Sequence, residues 1–256
     1  MRYAYLVVEG PQDVAFIGRL LRIDGLRKIQ QIQQLDPFWR PVIPRTFPPD
    51  GDLLKRVPVP AFFQSNTHSV AVHSAGGVSR LVDTVEETRA ALGAQRDDVT
   101  SIGVFLDADW NVAARARFSQ IKAQLLRIGL PTAEEPGVVH DGGLRTGVFI
   151  FPDNRSSGTL ENLLEACAAA VYPELRDTAR QFTAAAAMLS LTEEDRREYS
   201  MPSGEIKVVV SSIATFLNPT KAIQNSIEDN RWLSGDALKL ESIGKLRGFL
   251  EGLLAL

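Results

Sequence analysis

The chain is poor in the residues that build disulfides and most zinc sites. Its 256 residues include one cysteine and three histidines. The single cysteine, Cys167, excludes a disulfide and a cysteine-cluster zinc site within one chain, and we expect it to be a small buried side chain on a helix. His68, His73 and His140 lie in separate segments, without the i, i+4 spacing of a zinc protease. We therefore expect surface or strand-end roles for the histidines.

Long apolar runs and a strong excess of charge are also absent. No stretch approaches the roughly 18 consecutive apolar residues that span a bilayer, and the start of the chain, MRYAYLVVEG, contains no signal-peptide cleavage region. The formal net charge of −3 argues against a protein that coats nucleic acid through its overall charge. With 45% hydrophobic residues, the chain is long enough to bury a full core. We expect a cytoplasmic, globular protein without a membrane segment.

Apolar runs alternate with helical patterns over the first two thirds of the chain. Four short runs are rich in β-branched and aromatic residues and predict strands: 3–8, 69–74, 101–107 and 146–152. Each is followed by a segment with apolar residues at helical spacing: 11–22, 78–92, 112–128 and 159–170. Strands alternating with helices of this length predict an α/β fold, with a mostly parallel sheet covered by helices on both faces.

Two regions depart from this alternation. Residues 24–68 contain a Pro-rich tract that is too long for a simple connection, and we interpret them as an insertion. After about residue 171 the pattern becomes mainly helical, although the run IKVVVSS (206–212) fits a strand equally well. We therefore predict an α/β core at 1–170, carrying the insertion, and a helical C-terminal extension at 171–256 that packs on the core.

Carboxylates follow two of the predicted strands. Glu9 comes after YLVV, while Asp107 and Asp109 follow GVFL. Ligands of open α/β sheets bind beyond the carboxyl ends of the strands, so these acids are candidates for one site. Clustered carboxylates repel one another unless a cation joins them, and Mg²⁺ commonly bridges protein acids to phosphate. Strand alternation would point Asp107 and Asp109 to one side, with Ala108 packing away. Asp13, one helical turn beyond Glu9, could supply a further oxygen.

Simpler explanations of these acids stay open. Acids at strand ends often cap turns or helices, and an isolated Asp-x-Asp is common. The segment DADWN also begins like an EF-hand loop, but Val112 stands where that loop needs glycine and Phe118 where it needs a bidentate glutamate. The Asp-x-Asp of haloacid-dehalogenase-like phosphatases is followed by Thr or Val, where this chain has Asn111.

Three segments together resemble the Toprim domain: VVEGPQDVAF (7–16), GVFLDAD (103–109) and SSGTLENLLE (156–165). They are similar to small, uncharacterised bacterial and archaeal Toprim-like families related to the catalytic domain of OLD-family nucleases. The resemblance covers roughly residues 3–168, and it implies a Rossmann-like sheet.

The resemblance also implies roles for the acids. Glu9 would be the general acid or base, or a metal ligand, and Asp107 and Asp109 would be ligands of Mg²⁺ or Mn²⁺. Asp13 matches the acid that follows the glutamate in OLD-like members, which makes it a further candidate ligand. The Toprim enzymes that cleave through a covalent link need a tyrosine from another domain, and none of the four tyrosines here has an obvious partner domain.

Two residues farther along the chain are additional candidates. Glu161 matches an acid that OLD-like nucleases place near a second metal, although a glutamate in a first helical turn is favoured by the helix dipole anyway. Lys207 matches a lysine that would stabilise charge on a phosphorane-like transition state, but it also fits an exposed helix position. Gly76 and Gly77, before the second predicted helix, could let backbone amides approach a phosphate, or they could simply form the turn.

The insertion at 24–68 is locally basic and rich in aromatic residues. Its cationic side chains are Arg27, Lys28, Arg40, Arg45, Lys55 and Arg56. Its interleaved rings are Phe38, Trp39, Phe47, Phe62 and Phe63. Cations bind phosphates and rings stack on unpaired bases, which would suit a nucleic acid or nucleotide partner. The alternative is that the rings pin the insertion to the core or form the surface of a homodimer.

Three functional hypotheses follow. The first is a magnesium-dependent phosphoryl-transfer enzyme that cuts phosphodiesters of DNA or RNA, with metal and acids activating water. The second is a non-catalytic accessory or regulatory protein whose site binds a metal or nucleotide. The third is a phosphatase acting on a small phosphate ester.

Overall fold

A mixed sheet crosses the protein, which is described here by a computed structural model for residues 1–44 and 59–256. Its seven strands are β1 (Arg2–Val8), β2 (Arg27–Ile29), β3 (Ala61–Gln64), β4 (His68–Ser74), β5 (Val99–Asp107), β6 (Val139–Gly142) and β7 (Leu144–Phe151). They lie in the order β2-β3-β4-β1-β5-β7-β6. The predicted α/β class is confirmed.

The prediction of a mostly parallel sheet is wrong at the edges. The central strands β4, β1, β5 and β7 pair in parallel, and these are the four predicted from the sequence. The short strands β2, β3 and β6 pair antiparallel. Strands of three or four residues show too little alternation to be recognised by pattern. Two of them lie within the insertion at 24–68, and the third forms a tight hairpin with β7 through Gly143, whose φ is 97°.

Helices cover both faces of the sheet. Within the described residues they are α1 (Pro11–Ile23), α2 (Leu81–Leu92), α3 (Ala114–Arg127), α4 (Leu160–Val171), α5 (Pro173–Ala187), α6 (Glu193–Arg196), α7 (Gly204–Leu217), α8 (Ile223–Asp229) and α9 (Glu241–Leu254). One apolar core joins the sheet to α1, α4, α7 and α9. The other joins it to α2 and α3. The ambiguous run 206–212 lies in helix α7. None of the helices in the described part of the chain combines the length and the apolar character needed to cross a bilayer.

Helix α9 packs closely on the sheet because two strands present glycine to it. A Cβ at Gly103 of β5 would lie 2.6 Å from Leu253, and one at Gly147 of β7 would lie 2.6 Å from Phe249. Both distances are shorter than non-bonded carbon contacts allow. The C-terminal helix therefore shares the first apolar core with the central strands.

The described part of the insertion packs against both cores. Four of its rings are buried: Phe38, Trp39, Phe62 and Phe63. Tyr3 of β1 stacks on Phe38 with 3.7 Å between ring centroids. Because these rings are packed inside the protein, they present no face to an unpaired base. Four residues of the predicted basic and aromatic surface lie outside the described residues: Arg45, Phe47, Lys55 and Arg56.

Candidate metal centre

The candidate site lies where the chain reverses direction across the sheet. From β1 the chain passes to β4 on one side, and it later returns to β5 on the other side of β1. Loops leave the carboxyl ends of β1 and β5 in opposite directions, which opens a crevice suited to a ligand. Glu9 follows β1 directly, and Asp107 is the last residue of β5. The structure therefore brings these two predicted site residues together.

Glu9 is held at both its backbone and its side chain. Its carbonyl oxygen accepts hydrogen bonds from the amides of Gly76 at 2.9 Å and Gly77 at 3.0 Å. One carboxylate oxygen, Oε1, accepts from the amide of Asp107 at 2.8 Å. The glycine pair thus holds Glu9 in place, and its amides are engaged there instead of being free for a phosphate.

Asp13 and Asp107 each receive a hydrogen bond from a helix N-terminus. Asp13 lies in the first turn of α1, is almost fully buried, and accepts from the amide of Gly10 at 2.8 Å. Asp107 Oδ1 accepts from the amide of Leu160, the first residue of α4, at 2.9 Å. Free amides at helix N-termini favour an anion. Both carboxylates are therefore fixed by the ends of helices that converge on the crevice.

The acids of the crevice raise one another's pKa. Burial raises the pKa of Asp107 to about 9, with the charges of Asp13, Glu9 and Glu161 adding to the shift. Burial also raises the pKa of Asp13 to about 7, and Glu9 and Glu161 again add to it. The pKa of Glu9 is raised mainly by burial, with contributions from Asp109 and Glu161. The ionised forms of Glu9, Asp13 and Asp107 are thus disfavoured in this space unless a cation enters.

Asp109 departs from the predicted arrangement. Strand β5 ends at Asp107, and Asp109 has a left-handed φ of 64°. Its amide donates to the carbonyl of Gly158 at 3.0 Å, and its carboxylate pairs with Arg117 of α3. Strand alternation therefore does not orient Asp109, although Ala108 is buried as expected. The strand alternation predicted for this pair therefore does not extend to Asp109, whose role as a metal ligand stays a prediction, and Asp109 raises the pKa of Glu9 as a neighbouring charge.

Glu161 and Lys207 face a common cavity. Glu161 lies in the first turn of α4 and is almost fully buried. Together with Gln12, Lys207 and Ser211 it lines a polar cavity of about 280 Å³. Lys207, on α7, has no ion-pair partner within the described ranges. The cavity places a glutamate next to a lysine whose charge is available to an anion.

A larger cavity adjoins this polar one. It has a volume of about 700 Å³ and shares Lys207 and Ser211 with its neighbour. Its walls carry the rings of Phe182, Tyr199 and Phe216, and Phe216 is 71% exposed. An aromatic surface thus lies directly beside the polar cavity.

The side chains of the crevice offer the type of ligand atom that a hard divalent cation binds. All the candidate donors are carboxylate oxygens, which Mg²⁺ prefers, and their mutual repulsion is what a cation would relieve. Within residues 1–44 and 59–256, however, no group of three or more His, Cys, Asp or Glu side chains is already arranged to hold a metal. Glu9, Asp13, Asp107 and Asp109 each accept a hydrogen bond from the protein instead. Mg²⁺ is commonly held through one or two carboxylates with several waters, so it needs no closed cage.

Sequence reasoning missed Arg117. Helix α3 buries Ala114, Phe118, Ile121 and Leu125, and Arg117 adjoins that face, with its side chain only 16% exposed. A signal for Arg117 was present in the sequence: helix α3 follows an acidic loop, and this arginine adjoins the inward face of that helix. The sequence also gave no indication that the Gly76-Gly77 turn would bind Glu9.

Comparison with known proteins relates the chain to one family and one fold. The family model described as "Protein of unknown function (DUF3226)" matches residues 3–245. No curated protein matches the chain by sequence. The fold is similar to the crystal structure of hypothetical protein PH0156 from Pyrococcus horikoshii OT3, with a TM-score of 0.56, 99% of this chain and 95% of that chain covered, and 15% identity. At that identity the similarity concerns the fold alone.

Proposed function

The chain belongs to the DUF3226 family, and we propose that it is a Toprim-like, magnesium-dependent phosphoryl-transfer enzyme that cuts phosphodiesters of DNA or RNA. One observation carries the proposal. Glu9, Asp13 and Asp107 converge at the carboxyl ends of β1 and β5, where burial and mutual repulsion raise the pKa of each. Such a cluster of acids is costly unless it serves a cation or a proton transfer.

The order of the parallel strands supports a Rossmann-like, Toprim-type arrangement. Counted along the chain, the four parallel strands lie across the sheet as second, first, third and fourth. This is the order of flavodoxin-like doubly wound sheets, which bind ligands between the first and third strands. Here those strands are β1 and β5, which carry Glu9 and Asp107.

Glu9 and Asp107 would hold the cation, with Asp13, Asp109 and Glu161 as neighbouring oxygen donors. A bound divalent cation supplies a nucleophilic water at neutral pH and stabilises charge on the phosphate. As the alternative to holding the cation, Glu9 would accept and return the proton, because its carboxyl group has a fixed orientation and a pKa that burial raises. Lys207 faces the same cavity as Glu161 and would stabilise negative charge on the phosphate group.

The aromatic cavity favours a substrate that carries a base. It adjoins Lys207, and the rings of Phe182, Tyr199 and Phe216 could stack on an unpaired base. A phosphodiester bound near Glu161 would place its neighbouring base on that side. A phosphatase for small esters needs no such surface, and so we favour a nucleic acid substrate.

The proposal is tested by cleavage assays with single-stranded and double-stranded DNA and RNA, in Mg²⁺ or Mn²⁺. We expect cleavage that is lost on adding EDTA and falls at least about 100-fold in Glu9→Gln and in Asp107→Asn, since each removes a group acting in the reaction. Glu134→Gln is the matched control, because that glutamate is 89% exposed and pairs with Lys122.

Three outcomes separate the hypotheses. Cleavage that persists in Glu9→Gln and Asp107→Asn would exclude this site as the catalytic centre. Metal or nucleotide binding without cleavage would favour an accessory protein. Hydrolysis of p-nitrophenyl phosphate without cleavage of any nucleic acid would favour a phosphatase.

A further inference from the structure

Arg117 carries an unused hydrogen-bond donor inside the candidate site. Its Nη2 pairs with the carboxylate of Asp109. Its Nε is buried and has no hydrogen-bond partner. A buried donor without an acceptor is uncommon and destabilises the folded protein. The guanidinium is therefore only partly satisfied by Asp109.

The position of Arg117 relates it to the acids of the crevice. Its positive charge lowers the pKa of Glu9, while Asp109 and Glu161 raise it. The Arg117 side chain is 16% exposed and that of Asp109 is 50% exposed, so the pair is partly open to solvent. The Asp109 backbone is fixed by paired hydrogen bonds with Gly158, which leaves its side chain as the part that can change partner.

We propose that Arg117 is a phosphate-binding residue of this site. In the metal-free protein Asp109 pairs with Arg117, and it releases Arg117 when its own carboxylate turns to a bound divalent cation. This inference rests on the proposed function, because it requires a cation among the acids. A guanidinium presents its N–H groups in a planar fork that matches two oxygens of a phosphate. Phosphate would supply both the partner lost with Asp109 and the acceptor that Nε lacks.

The exchange couples the two ligands. Without a cation, an incoming phosphate must displace Asp109 and meets the repulsion of the other acids. With a cation bound, that repulsion is reduced and Arg117 is free. Mg²⁺ and phosphate should therefore strengthen each other's binding, and the coupling should require Arg117.

The test measures binding, so it does not depend on catalytic activity. Inorganic phosphate is titrated calorimetrically into the protein with and without Mg²⁺, and Mg²⁺ is titrated alone. We expect phosphate to bind the wild-type protein at least tenfold more tightly with Mg²⁺. In Arg117→Gln, Mg²⁺ should no longer enhance phosphate binding, while Mg²⁺ alone should bind at least as tightly as it does to the wild-type protein. Arg117→Lys, which keeps the charge without the fork, should recover part of it.

Two further variants complete the design. Asp109→Asn should raise phosphate affinity in the absence of Mg²⁺, because it releases Arg117, and this test holds even if Arg117→Gln folds poorly. Arg115→Gln is the control, since Arg115 lies on the same helix with a side chain that is 75% exposed, and it should behave as wild type.

The outcomes distinguish this inference from the proposed function. If Mg²⁺ binds and Arg117→Gln retains the phosphate enhancement, Arg117 is not the phosphate ligand, while the metal site stands. If Mg²⁺ does not bind the wild-type protein, the metal site fails and the exchange fails with it. If phosphate affinity is unchanged in Asp109→Asn, Asp109 does not mask Arg117.

Discussion

Neutralising Asp107 should stabilise the metal-free protein. Its pKa rises from 3.8 to about 9 on folding, mainly through burial. A raised carboxyl pKa means that the stability is fully present below about pH 3.8 and is lost as the pH rises toward 9. At pH 7 the loss is at most about 4.5 kcal/mol, at roughly 1.4 kcal/mol for each pH unit above 3.8. Because the neighbouring acids titrate together with Asp107, we expect a loss of stability of about 2 kcal/mol at pH 7. Asn mimics the protonated carboxyl and can still accept from the Leu160 amide.

The assay is urea unfolding in EDTA at pH 4.5, 6, 7.5 and 9. Asp107→Asn should match the wild-type protein near pH 4.5 and exceed its free energy of unfolding by about 2 kcal/mol at pH 7.5. Asp97→Asn is the control, since the Asp97 side chain is 83% exposed, and its stability should follow that of the wild type at each pH. A variant less stable than the wild type at every pH would refute the reasoning, because Asp107 would then stabilise the fold as an ion.

Three other predictions concern the fold. Gly147→Ala should lower the free energy of unfolding by about 1–3 kcal/mol, because its added Cβ overpacks against Phe249. The control Gly248→Ala has nothing near its added Cβ and should leave the free energy of unfolding unchanged or raise it by up to about 1 kcal/mol. Equal effects of the two variants in urea unfolding would contradict the packing of Gly147 against Phe249. Burial lowers the pKa of His68, so stability present above about pH 6.5 should fall as the pH decreases through that region. His68→Gln should flatten that slope, and an unchanged slope would assign it to another group. Cys167 is fully buried and its pKa is raised by burial to about 12, so it should resist a thiol reagent until the protein unfolds; rapid labelling of the native protein would exclude that position.

The central strands could be predicted because each is long enough to show its pattern. The runs at 3–8 and 101–107 stand out as apolar segments between turn signals, and they form β1 and β5. The edge strands β2 and β3 could not be found, because runs of three and four residues are too short to show a pattern. The pairing of β2 with β3 also joins residues distant in sequence, which local periodicity does not report.

The site was predictable in location and only partly in detail. Strand ends placed Glu9 beside Asp107 because parallel strands bring their carboxyl ends to one edge of the sheet. The direction of Asp109 was not predictable, since it depends on a left-handed backbone and a hydrogen-bonded bridge to Gly158. Arg117 was missed because its partner lies eight residues away in the preceding loop, and helical spacing alone does not identify that partner.

The central claim is that the acids at the ends of β1 and β5 bind a divalent cation. Calorimetric titration of Mn²⁺ or Mg²⁺ into the wild-type protein, the double variant Glu9→Gln with Asp107→Asn, and Glu134→Gln tests it most directly. We predict saturable binding of one or two cations to the wild type and to Glu134→Gln, and none to the double variant. Absence of binding to the wild type, or equal binding to the double variant, would contradict the account.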